Sequence, residues 1–519
     1  MILYYSETLI ALAIASVPAL VSIYAFFVLD KKNVSLWLLL LTALLLRLVA
    51  ASLDPYLHEW DERFHALVAK NMMDYPIKPM MRVNPIMDYD YRAWCCNHIW
   101  VHKQPLFLWQ MAASMKLFGV SEVTMRIPSV VMGTVSVYFV HELARVWTGK
   151  HSVAFLSALL AAFSLYQLEL TSGRFGLEHN DLAMMFYVTA GFWAFARYLE
   201  SGRRTWWAVL VGLFVGCAVL NKWLTGLLVF GGWGFYVLMN EQLRSNPRAY
   251  LHIALSVLVA AAVALPWQLY IANAFPLEAS WTYELNRRHI TEVLDEHHGS
   301  VWYHFEFIKV SYGVILIPFA LLGVVASLTR GRFDRRLSIS LLSMVSVTYL
   351  FFSIIVATKM PALVYPVASL LIIYISIGFI TLIELFSVRH RASRWSRIFL
   401  VSAIALTAIC ALRPWSIAEH RKRSNDGRNA RIHNTNIYKS LKGALPDDIV
   451  VLNCKGFEET DLMFYTDYNA YSWYPSQNIF DSLRDEGHSF AVFKNHGNQQ
   501  LPTYIADNEE VRMLNHPMH

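Results

Sequence analysis

Long apolar runs with almost no charge recur along this chain, and nothing else in the sequence restricts its fold as much. The hydrocarbon core of a bilayer needs roughly 20 consecutive apolar residues per helix, and about twelve stretches meet that length. They lie near 8–29, 34–53, 124–147, 152–169, 180–199, 206–222, 224–240, 250–272, 304–328, 337–357, 362–385 and 397–413. Only the short stretch Asn221 to Thr225 divides 206–222 from 224–240. Composition agrees: 56% of the 519 residues are apolar and 16% are charged, against about 25% charged in an ordinary soluble domain. The first run has no basic leader and is followed by Asp30, Lys31 and Lys32, so it reads as a membrane helix and not as a cleaved signal. The expected fold class is an α-helical polytopic membrane protein of about 12 transmembrane helices, with a small C-terminal α/β soluble domain.

A net charge of +6 raises the question of nucleic acid, but the placement of the charges answers it. Lys31 and Lys32, Arg145 and Lys150, and Arg197, Arg203 and Arg204 lie in short loops. So do Arg244 and Arg248, then Arg330, Arg332, Arg335 and Arg336, and finally Arg389, Arg391, Arg394 and Arg397. If the helices alternate, all these loops share one face, and Lys/Arg-rich short loops stay cytoplasmic. The charges are topological anchors, and no nucleic-acid partner is expected. Both termini, loop 54–123, loop 273–303 and everything after about 414 then face the non-cytoplasmic side of a plasma or inner membrane, with membrane lipids as neighbours.

Two regions are expected: a membrane domain over 1–413 and a soluble non-cytoplasmic α/β domain over 414–519. The basic stretch Arg413 to Arg431 reads as a linker. Beyond it, Asp448–Asn453, Leu462–Tyr465 and Phe490–Phe493 are strand candidates, and Phe480–Glu486 reads as a helix ending at Gly487. Cys217 and Cys410 sit in apolar runs as packing residues. Cys95, Cys96 and Cys454 fall outside, where Cys454 is expected to pair with one of the other two.

Loop 54–123 is too long for a connector. It contains a helical segment from Tyr56 to Met73, with His58, Asp61, Glu62 and His65 on one face and Trp60, Phe64, Leu67 and Val68 on the other. A second apolar helix, Pro105 to Phe118, is too short to span and is expected in the interface. Asp61 or Glu62 could take a proton from a hydroxyl as general base, or simply line a solvated face. His58, Glu62 and His65 have helical spacing for a divalent metal, although not as HExxH. Lys103, in His102-Lys103-Gln104-Pro105, would meet a lipid phosphate at headgroup depth or anchor the helix by snorkelling. Arg174, Glu178, His179, Asn180 and Asp181 form a polar knot, in which Asp181 either caps a helix or faces Asp61 across a cavity. Loop 273–303 carries Glu284, Arg287, Arg288, His289, Glu296, His297 and His298, which suits a phosphate or sugar clamp that moves as a lid, or a solvated loop. Lys359-Met360-Pro361 joins two apolar runs.

In this order, these pieces resemble the GT-C class of membrane glycosyltransferases, in particular the branch of protein O-mannosyltransferases and lipid A aminoarabinose transferases. That family opens its first outer loop on an Asp-Glu pair, here Asp61-Glu62. It has a Lys-Pro-Pro-Leu-like motif before an interfacial helix, here Lys103-Gln104-Pro105-Leu106. Lys-Leu-Phe-Gly-Val and Arg-x-Pro-Ser follow, here Lys116 to Val120 and Arg126-Ile127-Pro128-Ser129. An Asp opening a later helix matches Asp181, and a late Lys-Leu-Pro turn matches Lys359-Met360-Pro361. The likeness covers roughly 34 to 385. Gln104 departs from the family proline, Leu363 stands where the family has tyrosine with Tyr365 two residues on, and helix 8–29 precedes the usual first helix.

The resemblance implies a GT-C-like fold and inverting transfer of a sugar from a polyprenyl-phosphate carrier to an acceptor hydroxyl of a lipid, glycan or protein. Asp61, Asp181 and Glu62 would be the catalytic carboxylates. Lys103, Arg287, Arg288 and Lys359 would neutralise the carrier phosphate, since preorganised cations stabilise charge that develops as the glycosidic bond breaks. His102, His179, Tyr365 and His298 would line the substrate cavity. No cofactor is required, with a divalent metal held by His58, Glu62 and His65 as the alternative. Transfer of a whole lipid-linked oligosaccharide, or transport of a lipid-linked sugar, are the competing readings. Transporters place ionisable groups near the bilayer midplane, whereas here they cluster at one face.

Overall fold

A computed structural model of the chain describes residues 2–174, 179–329, 333–387, 394–494 and 500–519. Glu178, Arg330, Arg332, Arg389 and Arg391, singled out above, lie outside the described residues. Among those described, nine helices are long and apolar enough to cross a membrane, or up to eleven if each of two bent pairs forms one span. The sequence predicts about twelve. One difference lies in Thr205–Met239, counted as one apolar segment. There the helix Thr205–Lys222 stops where Trp223 takes φ +63, and the turn Trp223–Leu227 folds back so that Gly226 lies against Ala218 and Val219. The helix Leu228–Met239 then follows.

Helix Glu122–Thr148 is central, packed on Lys32–Ser52, His151–Ala162 and His179–Glu200. It starts cleanly because Ser121 accepts from the Thr124 amide and Thr124 Oγ1 accepts from the Ser121 amide, a capping box. It stops at Gly149, whose φ of +65 suits a left-handed cap. On Pro247–Ala274 the exposed residues Leu251, Leu258 and Leu265 recur every seventh position, which gives that helix a lipid-facing stripe. The basic loops converge at one end of the bundle. Arg145 and Arg197 there share Glu200, and Lys150 Nζ lies 2.6 Å from Glu384.

A charge sits inside this bundle as well. Arg47, fully buried on helix Lys32–Ser52, donates to the carbonyls of Ala43, Ala161 and Ala162 and, at 2.7 Å, to Gln167 Oε1. The carbonyls of Ala161 and Ala162 end helix His151–Ala162, which bends by 43° into Leu165–Thr171. The guanidinium thus satisfies acceptors that the break would leave without partners. Gly133 makes the room, since a Cβ there would lie 2.4 Å from Arg47 Nε.

The C-terminal part holds a four-stranded, all-parallel sheet in the order β2-β1-β3-β4: β1 Val450–Leu452, β2 Asn469–Ala470, β3 Phe490–Phe493 and β4 Arg512–Leu514. Strands form within Asp448–Asn453, as Val450–Leu452, and over Phe490–Phe493, as read from the sequence, and Gln477–Asp485 is the expected helix before Gly487. Leu462–Tyr465 is not a strand; it belongs to the fully buried helix Glu459–Tyr465. A short apolar run does not by itself distinguish the two.

Arg413–Arg431 is not a solvated linker. It is largely helical, over Pro414–Glu419 and into Asp426–Leu441. Two of its arginines are buried on Asp54, with Arg421 Nη2 at 2.7 Å from Oδ2 and Arg428 Nε at 3.0 Å from Oδ1. Arg421 also reaches Glu169, which Arg174 Nε holds at 2.7 Å. Loop 54–123 interlocks with the sheet through Arg82 Nη2 on the Ala470 carbonyl at 2.7 Å and Asn469 Nδ2 on the Asn84 carbonyl at 2.8 Å. The expected Cys454 bridge does not form. All five cysteines are free, Cys454 is enclosed after β1, and the sulfurs of Cys95 and Cys96 turn to each other at 2.6 Å.

Gly133→Ala should lower the melting temperature of the detergent-solubilised protein by an amount equivalent to about 1–3 kcal/mol. Arg47 is fixed at its far end and cannot swing aside, so an unchanged melting curve would show that it does not occupy this slot.

Candidate active site

Trp60 takes φ +61 and turns the chain into helix Asp61–Asn71, placing both acidic residues in its first turn, where the helix dipole favours them. The expected solvated polar face does not exist: from Glu62 to Ala69 every residue is buried. The two adjacent carboxylates enter different surroundings.

Asp61 meets Lys103. Lys103 Nζ lies 3.6 Å from Asp61 Oδ1, and the side chains are 19% and 15% exposed. Lys103 is held just ahead of helix Pro105–Phe118, whose first-turn proline is preset for a helix start. Its neighbours are fixed on both sides. Asn97 Nδ2 donates to His102 Nε2 at 3.1 Å, and Gln268 Nε2 donates to Gln104 Oε1 at 2.6 Å. Burial, and then the nearby Lys103 charge, push His102 down to about 3, so its ring is neutral. Gln104, the departure from the family proline, thereby ties this turn to helix Pro247–Ala274.

Glu62 is fully buried. It accepts from Arg126 Nε at 2.8 Å and Nη2 at 2.9 Å, and from the His58 amide at 2.6 Å. His179 Nε2 lies 2.9 Å from Oε1, with its Nδ1 2.8 Å from Ser129 Oγ. Gly173, at φ +76, closes the pocket; a Cβ there would lie 2.1 Å from Oε1. Burial would raise the Glu62 pKa, but Arg126 and His179 outweigh it and hold the carboxyl far below its ordinary range. Glu62 is therefore a permanent anion that joins three helices, and it is a poor proton acceptor.

Two residues past His179, in the same helical turn, Asp181 is buried and ion-paired with Lys222 Nζ. Lys222 closes helix Thr205–Lys222 just before the sharp turn at Trp223. The Glu62–His179 contact thus ties the helix that carries Asp61, paired with Lys103, to the helix that carries Asp181, paired with Lys222.

The remaining predicted residues are placed differently. Lys359 is buried, and its Nζ donates to the carbonyls of Phe352 at 3.0 Å, Ser353 at 2.8 Å and Val356. Arg287 and Arg288, on helix Pro276–Thr291, pair with Glu284 of that helix and with Glu292, which caps its end. His298 is exposed. Tyr365 is buried, its ring 4.6 Å from that of Tyr166. The three metal candidates diverge: His58 pairs with Asp54 at 3.3 Å, Glu62 with Arg126, and the His65 ring packs between Trp100 and Phe107. Among the described residues no group of three His, Cys, Asp or Glu side chains converges as a metal site. A cavity of about 700 Å³ lies between the helix Asp61–Asn71 and the C-terminal part, lined by Lys70, Glu122, Lys439 and Asp467 among others, and not by Asp61, Lys103 or Asp181.

Sequence reading named Arg126 only as part of a motif, with no role, and missed Lys222 and Gln268. Arg126 had a usable signal, as an arginine opening an otherwise apolar run merits a search for a buried partner. Lys222, in the short divider between two apolar runs, offered the same clue.

The family model for dolichyl-phosphate-mannose-protein mannosyltransferase matches residues 102–267. An undecaprenyl phosphate-alpha-4-amino-4-deoxy-L-arabinose arabinosyl transferase of Proteus mirabilis is 29% identical over 269 residues, which cover 50% of this chain and 46% of that protein. A polyprenol-phosphate-mannose–protein mannosyltransferase of Corynebacterium glutamicum is 28% identical over 129 residues, 21% of this chain and 24% of its own. These matches span less than half the length of either relative. Over the whole fold, ArnT from Cupriavidus metallidurans, solved with undecaprenyl phosphate, superposes with a TM-score of 0.63 at 15% identity, covering 87% of this chain and 88% of that one.

Glu62→Gln should lower the melting temperature at pH 7 by the equivalent of about 3–5 kcal/mol, because Arg126 would be left buried without its anion. Since the Glu62 pKa is depressed in the fold, its stabilisation is fully present above the unfolded value of about 4.3 and is lost as pH falls below it. Melting curves from pH 7 to 3 should show that acid-side loss in wild type and a shallower one in Glu62→Gln; identical slopes would remove Glu62 from the clamp.

The resemblance read from the sequence is upheld at the level of architecture: this chain has the fold of the GT-C class of membrane glycosyltransferases.

Proposed function

We propose that this chain is an inverting glycosyltransferase. It moves a sugar from a polyprenyl-phosphate carrier to an acceptor hydroxyl, at the bundle end that carries Asp61, on the non-cytoplasmic side. The observation that carries this reading is the Asp61–Lys103 pair at 3.6 Å, set at the mouth of two short helices beside an apolar bundle. The basic loops at the opposite end support the sidedness, and the relatives named for undecaprenyl- or polyprenol-phosphate sugars support the donor class.

The chemistry asks for one base and one cation. The acceptor oxygen attacks the anomeric carbon from the face opposite the carrier. Its proton passes to the Asp61 carboxylate, the bond from carbon to phosphate oxygen breaks, and the polyprenyl phosphate leaves with the electron pair. Lys103 meets the charge that grows on that oxygen. The pairing couples the two roles: a lysine drawn toward the phosphate no longer neutralises Asp61, whose carboxylate then becomes a better proton acceptor. Asp181, held by Lys222, orients the acceptor. Glu62 is a positioning residue, since it fixes the helix that presents Asp61. Arg287, Arg288 and Lys359 would, like Lys103, exchange present partners for the phosphate; Lys103 is the principal cation in this reading because it stands beside Asp61.

Asp61→Asn should keep carrier binding and lower kcat by about 10²–10⁴-fold, measured as sugar transfer from the lipid donor found with the purified protein by mass spectrometry. Near-wild-type turnover would remove Asp61 as the base. Lys103→Ala should weaken carrier binding by roughly 10- to 100-fold, as expected for a charge-assisted contact; an unchanged affinity would leave that lysine as an anchor only.

A further inference from the structure

We infer that the bundle end opposite Asp61 carries a second binding site, for a phosphate-bearing anion such as a phospholipid headgroup. It is separate from the proposed transfer site and does not depend on that reading. A cavity of about 470 Å³ opens where helix His179–Glu200 ends and helices Thr205–Lys222 and Pro247–Ala274 begin. Arg203, Arg248 and His252 line it together with Tyr198, Thr205 and Asn246, and none of its lining residues is acidic.

The interior is built. The hydroxyl of Tyr198 lies 2.8 Å from His252 Nδ1, and Thr205 Oγ1 lies 3.3 Å from Nε2, so the imidazole is fixed between two helices. Arg203 and Arg248 line the same cavity as that ring, which brings two arginines to one small volume. At the same end of the bundle Arg145 is matched by Glu142 and Glu200, and Arg197 by Glu200. Among the described residues no carboxylate pairs with Arg203 or Arg248. Two like charges facing one cavity repel, and a bound anion removes that cost. Guanidinium pairs suit phosphate because the planar fork meets two oxygens at once.

The surroundings point to a lipid as the bearer. Leu251 lines the cavity and heads the exposed stripe of Leu251, Leu258 and Leu265 that runs down the same helix. Trp206 and Tyr250 are exposed beside it, at the headgroup depth where such rings collect. A phosphate at Arg203 and Arg248 would therefore have its acyl chains on that leucine stripe. Basic pockets between helix ends are a recurrent means of holding anionic headgroups.

The test uses the full-length protein in detergent, with native mass spectrometry against added phosphatidylglycerol and melting curves against inorganic phosphate. At about fivefold per basic residue near a membrane surface, Arg203→Ala with Arg248→Ala should reduce retention of one bound phosphatidylglycerol roughly thirtyfold. Arg203→Lys with Arg248→Lys should keep an intermediate affinity, and Arg204→Ala, outside the cavity, should bind as wild type. Loss of lipid retention with no response to inorganic phosphate assigns the site to a headgroup. A phosphate-dependent rise in melting temperature that vanishes in the double alanine variant assigns it to the free anion. Wild-type retention and wild-type phosphate response in a folded double alanine variant would overturn the inference.

Discussion

The structure hangs on buried ion pairs at one end of the helical bundle. Asp54, just past helix Lys32–Ser52, receives Arg421 and Arg428 from the C-terminal segment. Arg126, on the central helix, receives Glu62 from the outer loop, and it also donates to the carbonyls of Ala51, Asp54 and Tyr56. These contacts fasten three parts with little else in common: a lipid-facing bundle, an interfacial loop and a small parallel sheet. Buried pairs of this kind contribute modest net stability when intact, but removing one partner leaves an uncompensated charge and costs about 3–5 kcal/mol. Their main effect is to fix geometry. With Glu62 immobile between Arg126 and His179, Asp61 has a defined position next to it, and so has Asp181 two residues beyond His179.

This division of labour between neighbours explains the Asp-Glu pair. One carboxylate is held ionised by a guanidinium and carries the architecture. The other is partly exposed and lies 3.6 Å from the Lys103 ammonium. A pair of identical environments would give two structural anions or two mobile ones. The glycine at position 173 belongs to the same device, because any side chain there would occupy the space of the Glu62 carboxylate.

Much of this was legible in the sequence, and for a physical reason. Lipid forces the backbone to satisfy itself within each span, so apolar runs map onto helices with few alternatives. Helix Pro105–Phe118 and strand β3 fall where the sequence put them. Loop basicity likewise located the end where Arg145, Arg197 and Glu200 meet. The misreadings concern charges whose partners lie far away along the chain. Arg421 and Arg428 sit in a polar stretch that composition reads as a linker, yet both are buried on Asp54. Lys222 marked a divider between two helices and proved to hold Asp181. A local window sees a charge but not its burial, and these partners lie 41 to 374 residues away. The helix Glu459–Tyr465 was lost for another reason, since seven residues are too few to show a period.

Arg47 carries a consequence for how the protein is made. Its acceptors, the carbonyls of Ala161 and Ala162 and the Gln167 side chain, lie 114 to 120 residues later in the chain. During synthesis, helix Lys32–Ser52 therefore reaches the translocon with a guanidinium that has no interhelical partner. An arginine at the centre of a membrane helix raises the cost of insertion by about 2.5–3.5 kcal/mol, which the leucines of this helix, at about 0.3–0.6 kcal/mol each, are numerous enough to offset. The guanidinium gains its acceptors once His151–Ala162 has entered beside it and turned its broken end toward the arginine. The second helix is thus fastened from within by a neighbour that arrives while the spans after residue 179 are still to be made.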